Sequence, residues 1–170
     1  MSTMPHVLDS TRFGRLEIAE SSVIRFPDGL VGLDGSRFVL LSANPARDPS
    51  PTGAFAWLHS LEDAALALPV TRPQRFFPEY VVELDEHDAP AGLRALDDPE
   101  AVEVWVTVRA AARIEEFVAN LRAPIVVAGG QGWQVLNAHR DAGLRVPLGT
   151  VAAAPEAAPA PVRTTSTAAA

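Results

Sequence analysis

A chain of 170 residues, 48% of them hydrophobic, can bury one substantial core, and no stretch approaches the roughly 18 apolar residues of a membrane span. The formal charge of −7 argues against a nucleic-acid binder, because contacts to phosphates need a basic footprint. With no cysteine in the chain, disulfides, thiolate metal sites and cysteine nucleophiles are excluded together.

Residues Met1–Ser10 show no basic region followed by an apolar run, so a cytoplasmic chain with a flexible segment over 1–11 is expected. Leu16 and Ile18 then alternate with Glu17, and Gly14 before them suits a bulge. Val23–Phe26 is a second short strand, stopped by Pro27-Asp28-Gly29, where proline presets φ and glycine accepts a positive one. Phe38–Leu41 is continuous and apolar, as in a buried strand, and 45–53, with three prolines, is a loop. Phe55, Trp57 and His59 take one parity and Ala54, Ala56 and Leu58 the other, the pattern of a strand covered on both faces. Leu66–Val70 reads as a strand in which Pro69 points to an edge or a bulge.

After Phe76-Phe77-Pro78, the residues Tyr80, Val82 and Leu84 alternate with Val81, Glu83 and Asp85, a half-buried strand. Val102, Val104, Val106 and Val108 form the clearest apolar face, opposite Glu103, Trp105, Thr107 and Arg109. Ile125–Val127 and Trp133–Leu136 flank Gly129-Gly130-Gln131-Gly132 as a hairpin. Helix spacing at Ile114, Phe117, Val118 and Leu121 predicts a helix over 114–121, whose end β-structure could claim instead, and 86–96 is a second helical candidate, broken by Pro90. Gly149–Ala170 is mostly Ala, Pro and Thr; it buries too little surface to offset its ordering entropy and is expected to be a disordered tail. The fold expected over 12–148 is therefore all-β or β-rich, a small barrel-like antiparallel domain with one or two short helices.

Reactive groups are sparse. The four histidines (His6, His59, His87 and His139) have no neighbours at metal-ligand spacing, and Glu86-His87-Asp88 lies on a loop, where consecutive side chains rarely converge. The glycine-rich 129–132 run neither opens a helix nor precedes Gly-Lys-Ser/Thr, so it is a turn rather than a phosphate cradle. No serine sits in a Gly-x-Ser-x-Gly elbow. The expectation is a chain without catalytic residues, cofactor or metal.

Charge and aromatics offer surface instead. From Glu79 to Glu103 nine carboxylates face Arg94 alone, a local charge of −8 on an otherwise near-neutral chain. Such a lobe either attracts a basic partner or is a solvated loop. Phe76, Phe77 and Tyr80 around Pro78 are either an exposed anchor for a protein partner or core filler, core being the default.

Several strings, in order, resemble the flagellar assembly factor FliW family of bacteria, from about Phe13 to Leu148. They are Phe13-Gly14, Phe26-Pro27-Asp28-Gly29-Leu30-Val31-Gly32, Arg37-Phe38, Phe55-Ala56-Trp57-Leu58, Phe76-Phe77-Pro78-Glu79-Tyr80 and Asn120-Leu121-Arg122-Ala123-Pro124-Ile125-Val126. Leu33, Ala128 and Pro69 depart from the family's usual residues, and the Ala/Pro tail is an addition. The resemblance implies a barrel-like, non-enzymatic, cytoplasmic protein, expected to be a monomer. It would bind the translational regulator CsrA, antagonising its repression of flagellin mRNA, and would bind flagellin in a mutually exclusive partner switch. It would contact neither membrane nor nucleic acid directly. The alternative is a flagellin-binding chaperone with no role in translation. Candidate partner-binding residues are Glu83, Asp85, Glu86, Asp88, Phe76, Phe77 and Tyr80. The four carboxylates would set negative potential beside RNA on CsrA, within a Debye length of about 10 Å. Pro27, Gly29, Gly32, Asn120 and Pro124 read as architectural.

Overall fold

The computed structural model describes residues 4–48, 51, 53–94, 102–149 and 160–165. Its centre is a ring of seven strands: β3 (Val23–Arg25), β4 (Arg37–Leu41), β5 (Phe55–Ser60), β6 (Ala67–Thr71), β8 (Glu103–Arg109), β10 (Ile125–Ala128) and β11 (Gln131–Gln134). The order β10-β11-β3-β4-β5-β6-β8 closes because β8 pairs back onto β10, with Trp105 opposite Ile125 and Val104 opposite Val126. Closure removes the exposed edges of an open sheet. The ring is antiparallel except at β11–β3, a parallel contact at Gln131 and Arg25.

Strand alternation divides the apolar residues between the two faces of the ring. Ile24, Phe26, Phe38, Ala56, Leu58, Val70, Trp105, Ile125 and Val127 fill its interior. Fully burying one such large side chain contributes roughly 1.5–3 kcal/mol. Leu30 enters the same cluster from the loop after β3, and Leu33 packs against it. Gly132 of β11 faces Phe26 so closely that a Cβ there would lie 2.5 Å from the ring.

The outer face is covered in two places. A hairpin of β1 (His6–Ser10) and β2 (Gly14–Ile18) lays Leu8 and Ile18 on Val23, Val39 and Leu41. His59, wholly buried beneath it, is bonded through Nε2 to the Ser10 hydroxyl at 2.8 Å. Residues 6–10 are thus a paired strand, which corrects the expected flexible start of 1–11 at those positions; residues 1–3 lie outside the described residues. On the other side, the Val102–Val108 face meets Tyr80, Val82 and Leu84 around β7 (Val82–Asp85), together with Trp133, Val135 and Leu148.

Several other expectations change. Residues 114–121 do not form one helix: a 3-10 turn covers Ile114–Glu116, and β9 (Val118–Ala119) pairs with both β8 and β12 (Val146–Pro147). The ladder to β8 wins over helical spacing because it buries Ala119 within the outer core. Of the described residues of the 86–96 candidate, Ala91–Arg94 are helical (α1), starting after Pro90, and residues 95 and 96 lie outside the described residues. Pro69 lies in a ring strand rather than at a sheet edge, but β6 pairs with β8 only at Val70 and Thr71, so the proline stands just outside that ladder. The tail is corrected at Val162–Thr165, which form β13 and pair in parallel with β7; residues 150–159 and 166–170 lie outside the described residues.

Candidate protein-docking site

The segment 72–88 builds the surface on which the candidate residues stand. Pro73 opens a 3-10 turn over Pro73–Arg75, and its carbonyl accepts from the N–H groups of Phe76 at 3.1 Å and Phe77 at 2.8 Å. Pro78 then occupies the second position of a turn closed by the Tyr80 N–H on the Phe77 carbonyl at 2.9 Å. These two turns leave Phe76 and Phe77 half-buried on a rim and swing Tyr80 inward to 8% exposure. Phe76 is held by Phe55, ring centroids 5.5 Å apart, and Phe55 in turn meets Phe117 edge-on at 6.1 Å.

The rim borders a groove of about 640 Å³, lined by Phe76, Phe77, Tyr80, Leu121, His139 and Ala142 among others. At its floor the Tyr80 hydroxyl donates to the Leu121 carbonyl at 2.8 Å and accepts from the Asn137 amide at 3.2 Å. Burial pushes the phenol up to about 12, the Asn137 bond opposing only part of that rise. Tyr80 is therefore a neutral donor at any ordinary pH.

Asn137 is the residue that sequence reasoning missed. It is wholly buried; its Oδ1 accepts from Glu83 N–H at 2.9 Å and His139 N–H at 3.0 Å, while Nδ2 donates to the Val81 carbonyl at 2.9 Å as well as to Tyr80. With Ala138 N–H donating to the Glu83 carbonyl at 2.7 Å, it fastens one edge of β7. An asparagine past the end of a strand carries no local signal of such a role; 54 residues separate it from Glu83.

β7 carries the groove into the acidic segment. Glu83 and Asp85 are half-buried on the strand, and Glu86 and Asp88 are exposed on the turn that follows. Asp85 has backbone work of its own: its carbonyl accepts from Asp88 and Ala89 N–H, both at 3.0 Å, and its Oδ1 from His87 N–H at 3.0 Å. His87 Nδ1 also lies 3.2 Å from that carboxylate, so the histidine pairs with Asp85, two residues back. Asp97, Asp98 and Glu100 of the acidic run lie outside the described residues. Among the described residues no group of three or more His, Asp or Glu side chains is placed to hold a metal ion.

The remaining candidates stand elsewhere. Pro27 is second in a turn closed by Gly29 N–H on the Phe26 carbonyl at 3.1 Å, and Gly32 is third in the next, closed by Leu33 on Leu30 at 3.1 Å. Gly29 and Gly32 have φ of 70° and 76°. The second turn leaves Val31 exposed at its tip while Leu30 plugs the ring. Asn120–Pro124 is a bulge: these five residues, between β9 and β10, stand opposite only Val106 and Thr107 of β8. The Asn120 Oδ1 accepts from Arg122 and Ala123 N–H at 3.1 and 3.2 Å, bending the chain outward so that Leu121 reaches Tyr80.

Residues 7–148 match the family model described as FliW protein. The chain belongs to the FliW family. It is 35% identical over 121 residues to the flagellar assembly factor FliW of Alkaliphilus metalliredigens, covering 71% of each chain. It is 36% identical to that of Bacillus pumilus, covering 71% of this chain and 79% of the relative. A crystal structure of the flagellar assembly factor FliW superimposes with a TM-score of 0.71 at 26% identity, covering 85% of this chain and 98% of the other. This FliW-family domain thus has the barrel seen in that structure, and among its described residues no helix is long and apolar enough to cross a membrane.

Proposed function

We propose that this chain is a non-catalytic, cytoplasmic translational regulator of flagellum assembly. In this reading it binds CsrA, relieves repression of flagellin mRNA, and is withdrawn from CsrA by free flagellin. Membership of the FliW family over 7–148 carries the reading. The surface described above supplies a physical means. An aromatic-rimmed groove offers apolar area for a partner's side chains, and the adjoining carboxylates favour a basic protein while repelling its RNA. Mutually exclusive occupation suffices for switching by mass action.

Size-exclusion chromatography of the purified chain with CsrA, then with added flagellin, tests this directly. Two binary complexes, with flagellin displacing CsrA, are expected. A complex with flagellin alone, at any salt, would leave a chaperone without a translational role; a stable ternary complex would remove the switch. Neutralising Glu83, Glu86 and Asp88 is expected to weaken both CsrA binding and RNA displacement, more so at low salt. Asp85→Asn belongs in a separate variant, because that carboxylate also holds the turn.

A further inference from the structure

β7 has two edges, and only one is closed by the domain itself, through Asn137 and Ala138. The other edge is covered by the chain's own tail. β13 runs parallel to β7 with Val162 opposite Val82, Arg163 opposite Glu83 and Thr164 opposite Leu84. The N–H of Val82, itself wholly buried, donates to the Pro161 carbonyl at 3.0 Å. Ala160 is 4% exposed within the outer core and Val162 packs against that core, while Arg163 is exposed and level with Glu83 in the acidic segment.

We propose that this edge of β7 is an acceptor site for an extended protein segment with two small or β-branched apolar residues at alternate positions and an arginine after the second. Residues 160–165 occupy it in cis as a displaceable cap. Main-chain pairing supplies affinity in such strand addition, and side-chain pockets at alternate positions supply selectivity. One alanine and one valine bury too little surface to make the seating irreversible. The tail's advantage is its tether, which gives an effective concentration on the order of millimolar. A segment of a partner with the same chemistry has to compete with that concentration. An uncovered edge would also invite pairing between copies, which the cap suppresses. The inference is independent of the regulatory reading above.

The test uses the full chain carrying Ala160→Asp and Val162→Asp, and a fluorescent peptide of residues 160–165. The doubly substituted chain is expected to bind the peptide saturably, roughly tenfold or more tightly than the unsubstituted chain, and less tightly as salt is added. Amide exchange at Val82 is expected to accelerate by at least roughly tenfold in the same variant. Arg163→Glu, an exposed change that leaves the core intact, should accelerate Val82 exchange less, with recovery on adding Glu83→Arg. Unchanged exchange at Val82 would show that the tail is not seated in solution, and failure of the opened edge to bind the peptide would show that it is no acceptor. A dimer that the double substitution dissolves would place the tail on a second copy. Each of these three results overturns the proposal.

Discussion

The Tyr80 hydroxyl reaches across 41 residues of sequence to donate to the Leu121 carbonyl at 2.8 Å, tying the groove-bordering segment to the Asn120–Pro124 bulge. Tyr80→Phe leaves that buried carbonyl without its donor and is expected to destabilise by about 1–3 kcal/mol in urea unfolding at neutral pH. Tyr80 is the chain's single tyrosine, so phenolate absorbance reads its titration alone.

That titration carries a pH prediction. The folded phenol is raised from 10 to about 12, so its stabilisation is complete below 10 and is lost as pH rises through that interval. The gap corresponds to roughly 3 kcal/mol, and Tyr80→Phe should lack this alkaline loss. Urea midpoints of both chains across that range provide the measurement; parallel declines would show that the phenol is not buried as described.

Two glycines are required for different reasons, and substitution separates them. Gly29 has φ 70°, and a Cβ placed there would meet nothing closer than 4.0 Å, so Gly29→Val costs through backbone strain, roughly 1–2 kcal/mol. Gly132→Ala instead sets a methyl 2.5 Å from Phe26, and overpacking of this kind costs roughly 1–3 kcal/mol. Adding Phe26→Leu should recover part of the second loss and none of the first in denaturant melts.

Asn120→Ala removes a shared side-chain acceptor from two backbone N–H groups at the bulge, those of Ala123 and of Arg122, the latter keeping its second acceptor, the Gly143 carbonyl at 3.1 Å. A loss of about 1 kcal/mol is expected, with Asn120→Asp retaining most of the stability because its carboxylate accepts the same bonds. Equal losses in both variants would show that the side chain does not hold the turn.

Glu62 takes the N–H groups of Ser36 and Arg37 on its carboxylate, and these bonds hold it below the usual carboxylate value. A lowered folded value stabilises above the unfolded 4.5 and is lost as pH falls through the folded value. Glu62→Gln should therefore lower the melting temperature at neutral pH, with the difference from the unsubstituted chain closing in acid.

Strands were legible wherever alternation was strong. The Val102–Val108 face, the two-sided Phe55–His59 run and the Gly129-Gly130 hairpin all stand in the ring, and the two glycines carry the positive φ, 59° and 75°, that a two-residue turn needs. Helical spacing misled at Ile114–Leu121, because apolar residues three and four apart also occur where a strand leaves a bulge. Low hydrophobicity misled at 160–165, where two small residues and an edge of unpaired backbone suffice to seat a strand.

Local order along the chain determined the turns, the strand faces and the family strings, since each depends on residues within a few positions of one another. Ring closure, the Asn137 clamp on β7, the groove above Tyr80 and the return of the tail were decided only in three dimensions. Each joins groups tens of residues apart, and hydrogen bonds of that kind leave no periodic trace in the sequence.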